Sequence, residues 1–521
     1  MTRTTKKGRS SALLRRLTRT EGGERTLSFL AGNGDKLLAA LAVIIAFSLV
    51  IRVLSVWTVP EWYTQERNSP MIVYGDFYSL DKESADVLLL GGSRAEAAFV
   101  PQVLYDRYGI TSCGLCAGDQ GLRENYYWLE EALRFQSPKA VVLDISVLAG
   151  APVEADAARK ALTYMKWSGV KWEAVRTMCG DPAEGDLASW VFPGLWFHGR
   201  WKSLSEEDFR SGELKSRRGL MGWSPRYTDR CGEAYTPVTV TAADSMTEES
   251  GQEVWLDEII RLCGEKGIHL LFTVTPASDL TQAQHARMQA LADDRKVRLF
   301  DFGTQALYAR IGYDFGADQH DSTHANADGA RKISEYLGTV LSEDYGIAQR
   351  QSIRWRDTRS AYESSVREAQ LQHAETLSEY IPLLAEERYD LFVTTNGDAG
   401  IRLSEEDRRL LLNLGIKVDL DALDGRAYYA VPGSQEGRFE EKAAAETGTV
   451  LRKEGLFRGG RSRYTLVSVG GGAGDVSWEL VIDGMRFEPA GRGLSVVVYD
   501  AERMTIADTA VFAPGTGERV R

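Results

Sequence analysis

Residues 86–96 read Asp86-Val-Leu-Leu-Leu-Gly-Gly-Ser-Arg-Ala-Glu96, a short apolar run that stops at two glycines, then a serine and a polar turn. A continuous apolar run of that length, rich in Leu and Val and bounded by Gly, predicts a strand buried on both faces of a parallel sheet. Ser93 then stands at the strand's carboxyl end, where open α/β sheets bind their ligands. A turn serine with no further role fits the same stretch, so the neighbouring sequence decides.

Outward from this strand runs a βα alternation. Helical spacing covers Pro101 to Tyr108, a short strand follows around Ile110 to Leu115, and Leu122 to Phe135 is again helical. Ala140 to Ile145 is a strand, apolar except for Asp144. After a long interruption come a helix over Glu253 to Lys266, a strand over His269 to Val274, a helix over Thr281 to Asp293 and a strand over Val297 to Phe302. Strands separated by helices of this length specify a doubly wound parallel sheet, so the fold class is α/β, flavodoxin-like in plan.

The alternation then breaks at Asp318-Gln-His-Asp-Ser-Thr-His324, and Ala327 to Leu341 follows as a helix capped by Asn326 or Asp328. A polar loop with two histidines, one of them three positions after Asp321, is more than a core connection needs. A serine hydroxyl is a weak nucleophile near neutral pH and needs an imidazole to take its proton. The imidazole needs a carboxylate to fix its tautomer, and the tetrahedral oxyanion needs aligned N–H donors. Ser93, His324 and Asp321 supply the first three. The backbone N–H groups of Ser93 and of Gly118, in the loop Ala117-Gly-Asp-Gln-Gly121, are the candidate oxyanion donors.

The interruption, residues 150–250, is rich in Trp, Arg and Gly and lacks a strong period. It reads as an insertion or lid over the carboxyl edge of the sheet. His198 and Arg200 within it, and Arg94 beside the serine, are candidate substrate contacts; a folded cap with a structural histidine is the plainer reading of the insertion.

Ahead of the sheet lies a basic arm. Residues 1–36 carry a net charge of +6, which leaves −18 for the remainder of a chain whose total is −12. So acidic a body argues against a nucleic-acid partner. Residues 37–58 follow as a mostly apolar run whose only charge is Arg52. Some twenty helical residues span about 30 Å, the thickness of a bilayer core, so the run predicts one membrane pass. The basic flank on its amino side places residues 1–36 in the cytoplasm and the bulk outside the plasma membrane. A cleaved signal peptide shares the basic start and apolar core, but the run is long for one and no clear small-x-small site follows it.

Five cysteines are too few for a disulfide scaffold. Cys113-Gly-Leu-Cys116 has metal or redox spacing without a second pair, and reads as buried small residues; a Cys179–Cys231 bridge stays unassigned. No metal site and no cofactor is expected. Residues 346–387 are charged with widely spaced apolar positions, as in a solvated helical linker. Beyond them, a strand from Asp390, a helix opened by the capping box Ser404-Glu-Glu-Asp407, and strands over Arg426 to Val431, Tyr464 to Val469, Val476 to Ile482, Leu494 to Tyr499 and Thr505 to Phe512 predict a second, mainly β domain over residues 388–521.

Gly91-Gly-Ser-Arg94, Ala117-Gly-Asp119 and Asp321-Ser-Thr-His324 resemble the first, second and terminal blocks of the SGNH/GDSL hydrolase superfamily over about residues 80–345. The run from Asp321 to Ser334 is similar to membrane-anchored members that modify cell-surface polymers, the DltD-like and alginate-acetylation-type proteins. The resemblance implies Ser93 as nucleophile, His324 as base, Asp321 as its orienter and Gly118 as an oxyanion donor. It implies as partners a cell-surface glycan and a membrane O-acyltransferase. One departure stands out: the superfamily's third block carries an Asn donor, and here the matching strand end reads Val142-Leu-Asp-Ile-Ser-Val147. Gly491-Arg-Gly-Leu-Ser-Val-Val-Val-Tyr-Asp500, with Val481 to Phe487 and Ile506 to Phe512, resembles the interleukin-like EMT inducer (ILEI) domain, some members of which bind sugars. Two functions follow as expectations: an acyl esterase or acyltransferase, or a catalytically silent carbohydrate-binding accessory protein. A nucleotide-binding flavodoxin-like protein would need a phosphate loop that the glycine spacing does not provide.

Overall fold

The computed structural model describes residues 70–149, 155–180, 185–204, 219–226, 231, 235–240, 251–433, 438–474, 478–487, 491–502 and 504–520, with most of 35–59. The chain divides into two compact units, residues 1–66 with 172–213, and residues 67–171 with 214–521. Among the described residues no helix is long and apolar enough to cross a membrane. The expected span over 37–58 falls partly outside the described residues.

In the larger unit, β1 (Val87–Gly91), β2 (Ser112–Cys116), β3 (Ala140–Asp144), β4 (His269–Val274) and β5 (Arg298–Asp301) form a parallel sheet in the order β2-β1-β3-β4-β5. This is the flavodoxin-like doubly wound order, and its switch point lies between β1 and β3. Strand β1 is buried along its whole length. Val87 and Leu89 share a core with Ile333, Leu337 and Val340 of α7 (Ala327–Glu343), while Leu88 and Leu90, equally inaccessible, face the other way. An apolar run with no alternation is the residue pattern that such two-sided burial demands.

Helix α1 (Pro70–Tyr78) packs on β2, α7 on α2 (Ser93–Ala98) and α3 (Pro101–Tyr108), and α5 (Glu253–Lys266) on α4 (Leu122–Ala132). The expected Asn326 cap is made: its side chain accepts from the N–H of Asp328 and of Gly329. Helix α6 (Gln282–Arg295) opens on a reciprocal Thr281/Gln284 capping box.

The 150–250 insertion divides between the two units rather than forming one lid. In the larger unit, the helix Ala155–Thr163 lies against α4, where Trp128 Nε1 donates to Ala161 O at 2.8 Å. Residues 219–226 run along the edge strand β2: Gly114 N donates to Met221 O at 2.8 Å, and a Cβ on Gly222 would meet Gly114 O at 2.2 Å. This stretch occupies a free sheet edge, which accounts for glycine at both positions.

The second sheet is mainly antiparallel. Its path is β12-β11-β10-β6-β13-β14, with β7 paired to β6 and β8, and β9 to β10. The strands are β6 (Tyr389–Gly397), β7 (Arg426–Pro432), β8 (Phe439–Thr447), β9 (Val450–Phe457), β10 (Ser462–Gly470), β11 (Glu479–Ile482), β12 (Met485–Phe487), β13 (Gly493–Asp500) and β14 (Thr505–Phe512). The Ser404/Asp407 capping box opens α9 (Glu405–Leu414) as expected.

The segment preceding this sheet is not a solvated linker. Trp355 is wholly buried and donates from Nε1 to Ser112 O of β2 at 3.0 Å, and Arg359, at the start of α8 (Arg359–His373), pairs with Asp106 of α3 at 2.6 Å. Further on, Leu371, Leu377, Tyr380, Ile381 and Leu384 enter the core of the β domain, and Tyr380 donates to Asp508 at 2.7 Å. Widely spaced apolar residues look solvated in sequence; here Trp355, Leu371, Leu377, Tyr380, Ile381 and Leu384 are buried.

Candidate active site

Strand β1 ends at Gly91, whose φ of +155° and lack of a side chain let the chain turn directly into α2. A Cβ there would stand 2.5 Å from Ala95 Cβ and 3.0 Å from Asp144 Cβ, closer than carbon atoms pack. Ser93 is the first residue of α2 and sits just beyond the carboxyl end of the strand next to the switch point.

The loop between β5 and α7 delivers the other two groups. His324 Nε2 lies 2.9 Å from Ser93 Oγ, and His324 Nδ1 lies 2.8 Å from Asp321 Oδ2. The carboxylate is fixed in turn by the N–H groups of Thr323 and His324, both at 2.8 Å from Oδ1. Burial alone would raise the Asp321 carboxyl; the hydrogen bonds from the imidazole and from these N–H groups outweigh it and hold the group well below the usual carboxylate range. With Asp321 ionised, Nδ1 carries the proton and Nε2 faces the serine as an acceptor. The loop is braced at both ends: Gln319 bridges to Ala325, and Ser278 N, after β4, donates to Ser322 O at 2.8 Å.

Gly118 stands in a turn after β2 that lies against the end of β1, since a Cβ on Gly92 would meet Gln120 O at 3.6 Å and Ala117 O at 3.9 Å. Asp119 adopts a left-handed φ of 55°. The buried Gln120 shapes this turn: its Nε2 donates to Leu115 O at 2.8 Å and to Asn125 Oδ1 at 2.7 Å, and its Oε1 accepts from the Tyr74 hydroxyl. Among the described residues the N–H groups of Ser93 and Gly118 find no acceptor. Gln120 had only its place in a glycine loop to mark it in the sequence.

At the end of β3, Asp144 is buried and acts as an acceptor, taking the N–H of Ser146 at 3.1 Å and the hydroxyls of Ser146 and Thr273. No side-chain amide stands there. Arg94, beside the serine, pairs through Nη2 with Asp279 Oδ2 at 2.7 Å, in the loop after β4. Glu96, on α2, is fully buried with Arg226 Nη2 3.4 Å away. Burial pushes its carboxyl up to about 7, against the pull of Arg226 and Lys160.

Ser93, Asp321, His324, Gly118 and Arg94 thus all belong to the larger unit. His198 and Arg200 belong to the smaller one, where His198 Nδ1 lies 2.5 Å from Leu195 O and Arg200 Nη1 donates to Thr58 O at 3.1 Å. Cys113 and Cys116 are buried in β2, where burial raises both thiols. Among the described residues no group of His, Cys, Asp or Glu is placed to hold a metal ion.

The fold is thus a doubly wound, flavodoxin-like α/β sheet with a Ser–His–Asp constellation at its carboxyl edge. Among solved structures the chain is similar to a GDSL-like lipase from Bacteroides thetaiotaomicron, at 11% identity and a TM-score of 0.26 over 54% of this chain and all of that one. It is also similar to an acetyl xylan esterase, at 15% identity and a TM-score of 0.24 over 49% of this chain and 98% of that one. At those scores the likenesses add nothing to what the strand order says. No protein-family model matches the chain, and no curated protein matches it.

Proposed function

We propose that this protein is an SGNH-type serine acyl esterase or O-acyltransferase that acts on a cell-surface polysaccharide. The observation that carries the reading is the relay Ser93 Oγ to His324 Nε2 at 2.9 Å and His324 Nδ1 to Asp321 at 2.8 Å. In this reading Ser93 Oγ attacks the acyl carbonyl carbon as its proton passes to His324 Nε2, and the carbonyl π pair moves onto oxygen. Collapse of that oxyanion expels the alcohol, which takes the proton from His324 and leaves an acyl-Ser93 ester. Water or a sugar hydroxyl then attacks the ester carbonyl and gives its proton to His324; collapse breaks the bond to Ser93 Oγ, which takes that proton back as the acid or the new sugar ester leaves. Hydrolysis and transfer differ only in that last nucleophile.

The apolar run 37–58 and the basic arm support a single-pass anchor with the catalytic unit outside the plasma membrane. The resemblance of residues 388–521 to the ILEI domain supports sugar binding there, and a membrane O-acyltransferase is the acyl source that a transferase would require. A second reading, a silent glycan-binding accessory protein, draws on one observation: the end of β3 offers an acceptor, Asp144, where the superfamily has a donor.

The test is turnover of an acetyl ester, with fluorophosphonate labelling alongside, on the full chain in detergent. Signal that disappears in Ser93→Ala establishes the enzyme. Wild type and Ser93→Ala giving equal signal removes Ser93 from catalysis.

A further inference from the structure

Two backbone donors are a sparse oxyanion hole, because removing one donor from such a site typically costs about 100- to 1,000-fold in turnover. The missing donor would stand over the end of β3, and the residue beside Ser93 that carries an unpartnered buried donor is Arg94. It leaves α2 one residue after Ser93 and crosses to the loop that follows β4, where Asp279 holds Nη2 at 2.7 Å. The side chain is 18% exposed, while Asp279 is 49% exposed, so the fork is anchored at its solvent end. At the other end, Nη1 is buried with no acceptor among the described residues. A buried guanidinium N–H without a partner is costly, and in native proteins such a group calls for an explanation, a catalytic role or a bound group among them.

The surroundings narrow that ligand. The β3 end lies against the turn that carries Arg94, since a Cβ on Gly91, three residues before it, would stand 3.0 Å from Asp144 Cβ. Asp144 does not pair with the guanidinium: the partner of Arg94 is Asp279, and Asp144 accepts from Ser146 and Thr273. The loop carrying Asp279 is itself bonded to the histidine loop, through Ser278 N to Ser322 O at 2.8 Å and Gln319 Nε2 to Pro276 O at 2.8 Å. Arg94 is therefore held in register with both Ser93 and His324.

We propose that Arg94 is the third oxyanion donor, its free Nη1–H replacing the side-chain amide that the β3 end lacks, with Asp279 as its positioning residue. The inference rests on the acyl-transfer reading above. As Ser93 Oγ bonds to the carbonyl carbon, the negative oxygen accepts hydrogen bonds from Ser93 N–H, Gly118 N–H and Arg94 Nη1–H. No proton leaves the guanidinium, and the contact is released when the oxyanion collapses.

The experiment is steady-state turnover of 4-nitrophenyl acetate, whose acyl group is uncharged, by the full chain in detergent, comparing wild type with Arg94→Ala, Arg94→Lys and Asp279→Asn. Arg94→Ala is expected to lower kcat about 100-fold or more with KM within about twofold. Millimolar guanidinium is expected to restore part of the loss, which a merely misfolded variant would not show. Arg94→Lys, which keeps the charge without the planar fork, should fall between the two, and Asp279→Asn should lose about tenfold in kcat. Turnover unchanged in Arg94→Ala, or a change confined to KM, overturns the assignment while leaving Ser93 catalysis standing. A wild type with no Ser93-dependent turnover removes the parent reading and this one together.

Discussion

Two His–Asp pairs lie at the β5 side of one sheet, and only one of them belongs to the candidate active site. His324 and Asp321, in the loop after β5, meet at 2.8 Å with side chains 20% and 44% exposed. His285 of α6 and Asp301 at the end of β5 meet at 2.6 Å with side chains 0% and 4% exposed. Donor and acceptor are the same; the far nitrogens differ. Nε2 of His324 faces a serine hydroxyl at an accessible edge, whereas Nε2 of His285 is buried with no partner among the described residues. The inner carboxylate also accepts the N–H of Gly303, and a Cβ at Gly303 would press to 2.7 Å from the His285 ring. An imidazole–carboxylate pair is therefore not a site in itself. What the second nitrogen meets, and whether substrate reaches it, makes it one.

The contrast can be broken at either pair. The largest effect is expected at the outer one: Asp321→Asn leaves the ring in place but loses the tautomer, and kcat for an acetyl ester should drop roughly 10³- to 10⁴-fold with the melting temperature little changed. If kcat survives, His324 is not oriented by Asp321. The inner pair should respond the opposite way. His285→Leu strands the buried Asp301 carboxyl and should lower unfolding free energy in urea by about 1–3 kcal/mol, with kcat of the folded protein within about twofold. A selective loss of kcat there would make the two pairs one network.

A third, smaller effect belongs to the buried Glu96 behind the serine. Its carboxyl holds a proton up to about 7 in the folded chain against an ordinary value of 4.5. The folded state then binds more protons than the unfolded state across that window, so the contribution to stability is greatest below about pH 4.5 and falls as pH rises to 7. Urea titrations at pH 5 and pH 7.5 should show Glu96→Gln losing less stability over that interval than wild type. The difference should not exceed roughly 3 kcal/mol, and parallel slopes would place the proton elsewhere.

Much of this was readable in the sequence because the chemistry needs local patterns. Strand β1 announces itself by an unbroken apolar run, and the Asp321-x-x-His324 spacing lets one loop present both groups to a serine that is 231 residues away from the histidine. The residues that brace the groups around the serine were harder to see. Gln120 and Asp279 are single polar residues whose importance comes from what the fold puts beside them. The β domain was legible where strands are apolar, as in Leu494 to Tyr499, and illegible at β8 and β9. Strand β8 reads Phe-Glu-Glu-Lys-Ala-Ala-Ala-Glu-Thr, a composition that suits a helix as well as a strand; it pairs only with β7, and most of its side chains are exposed or half-buried. Tertiary pairing overrides local preference there.

The segment from Trp355 to Leu384 has a practical consequence for where the chain can be cut. Its amino end is seated on β2 and α3 through Trp355 and Arg359, and its carboxyl end lies in the core of the second sheet through Tyr380 and Leu384. A fragment that stops at residue 345, where the sequence suggests a domain end, would leave the Ser112 carbonyl without its indole partner on the strand that leads into Gly118. The two sheets are thus expected to melt as one calorimetric transition, and trimming the distal half would be felt at the turn that carries Gly118.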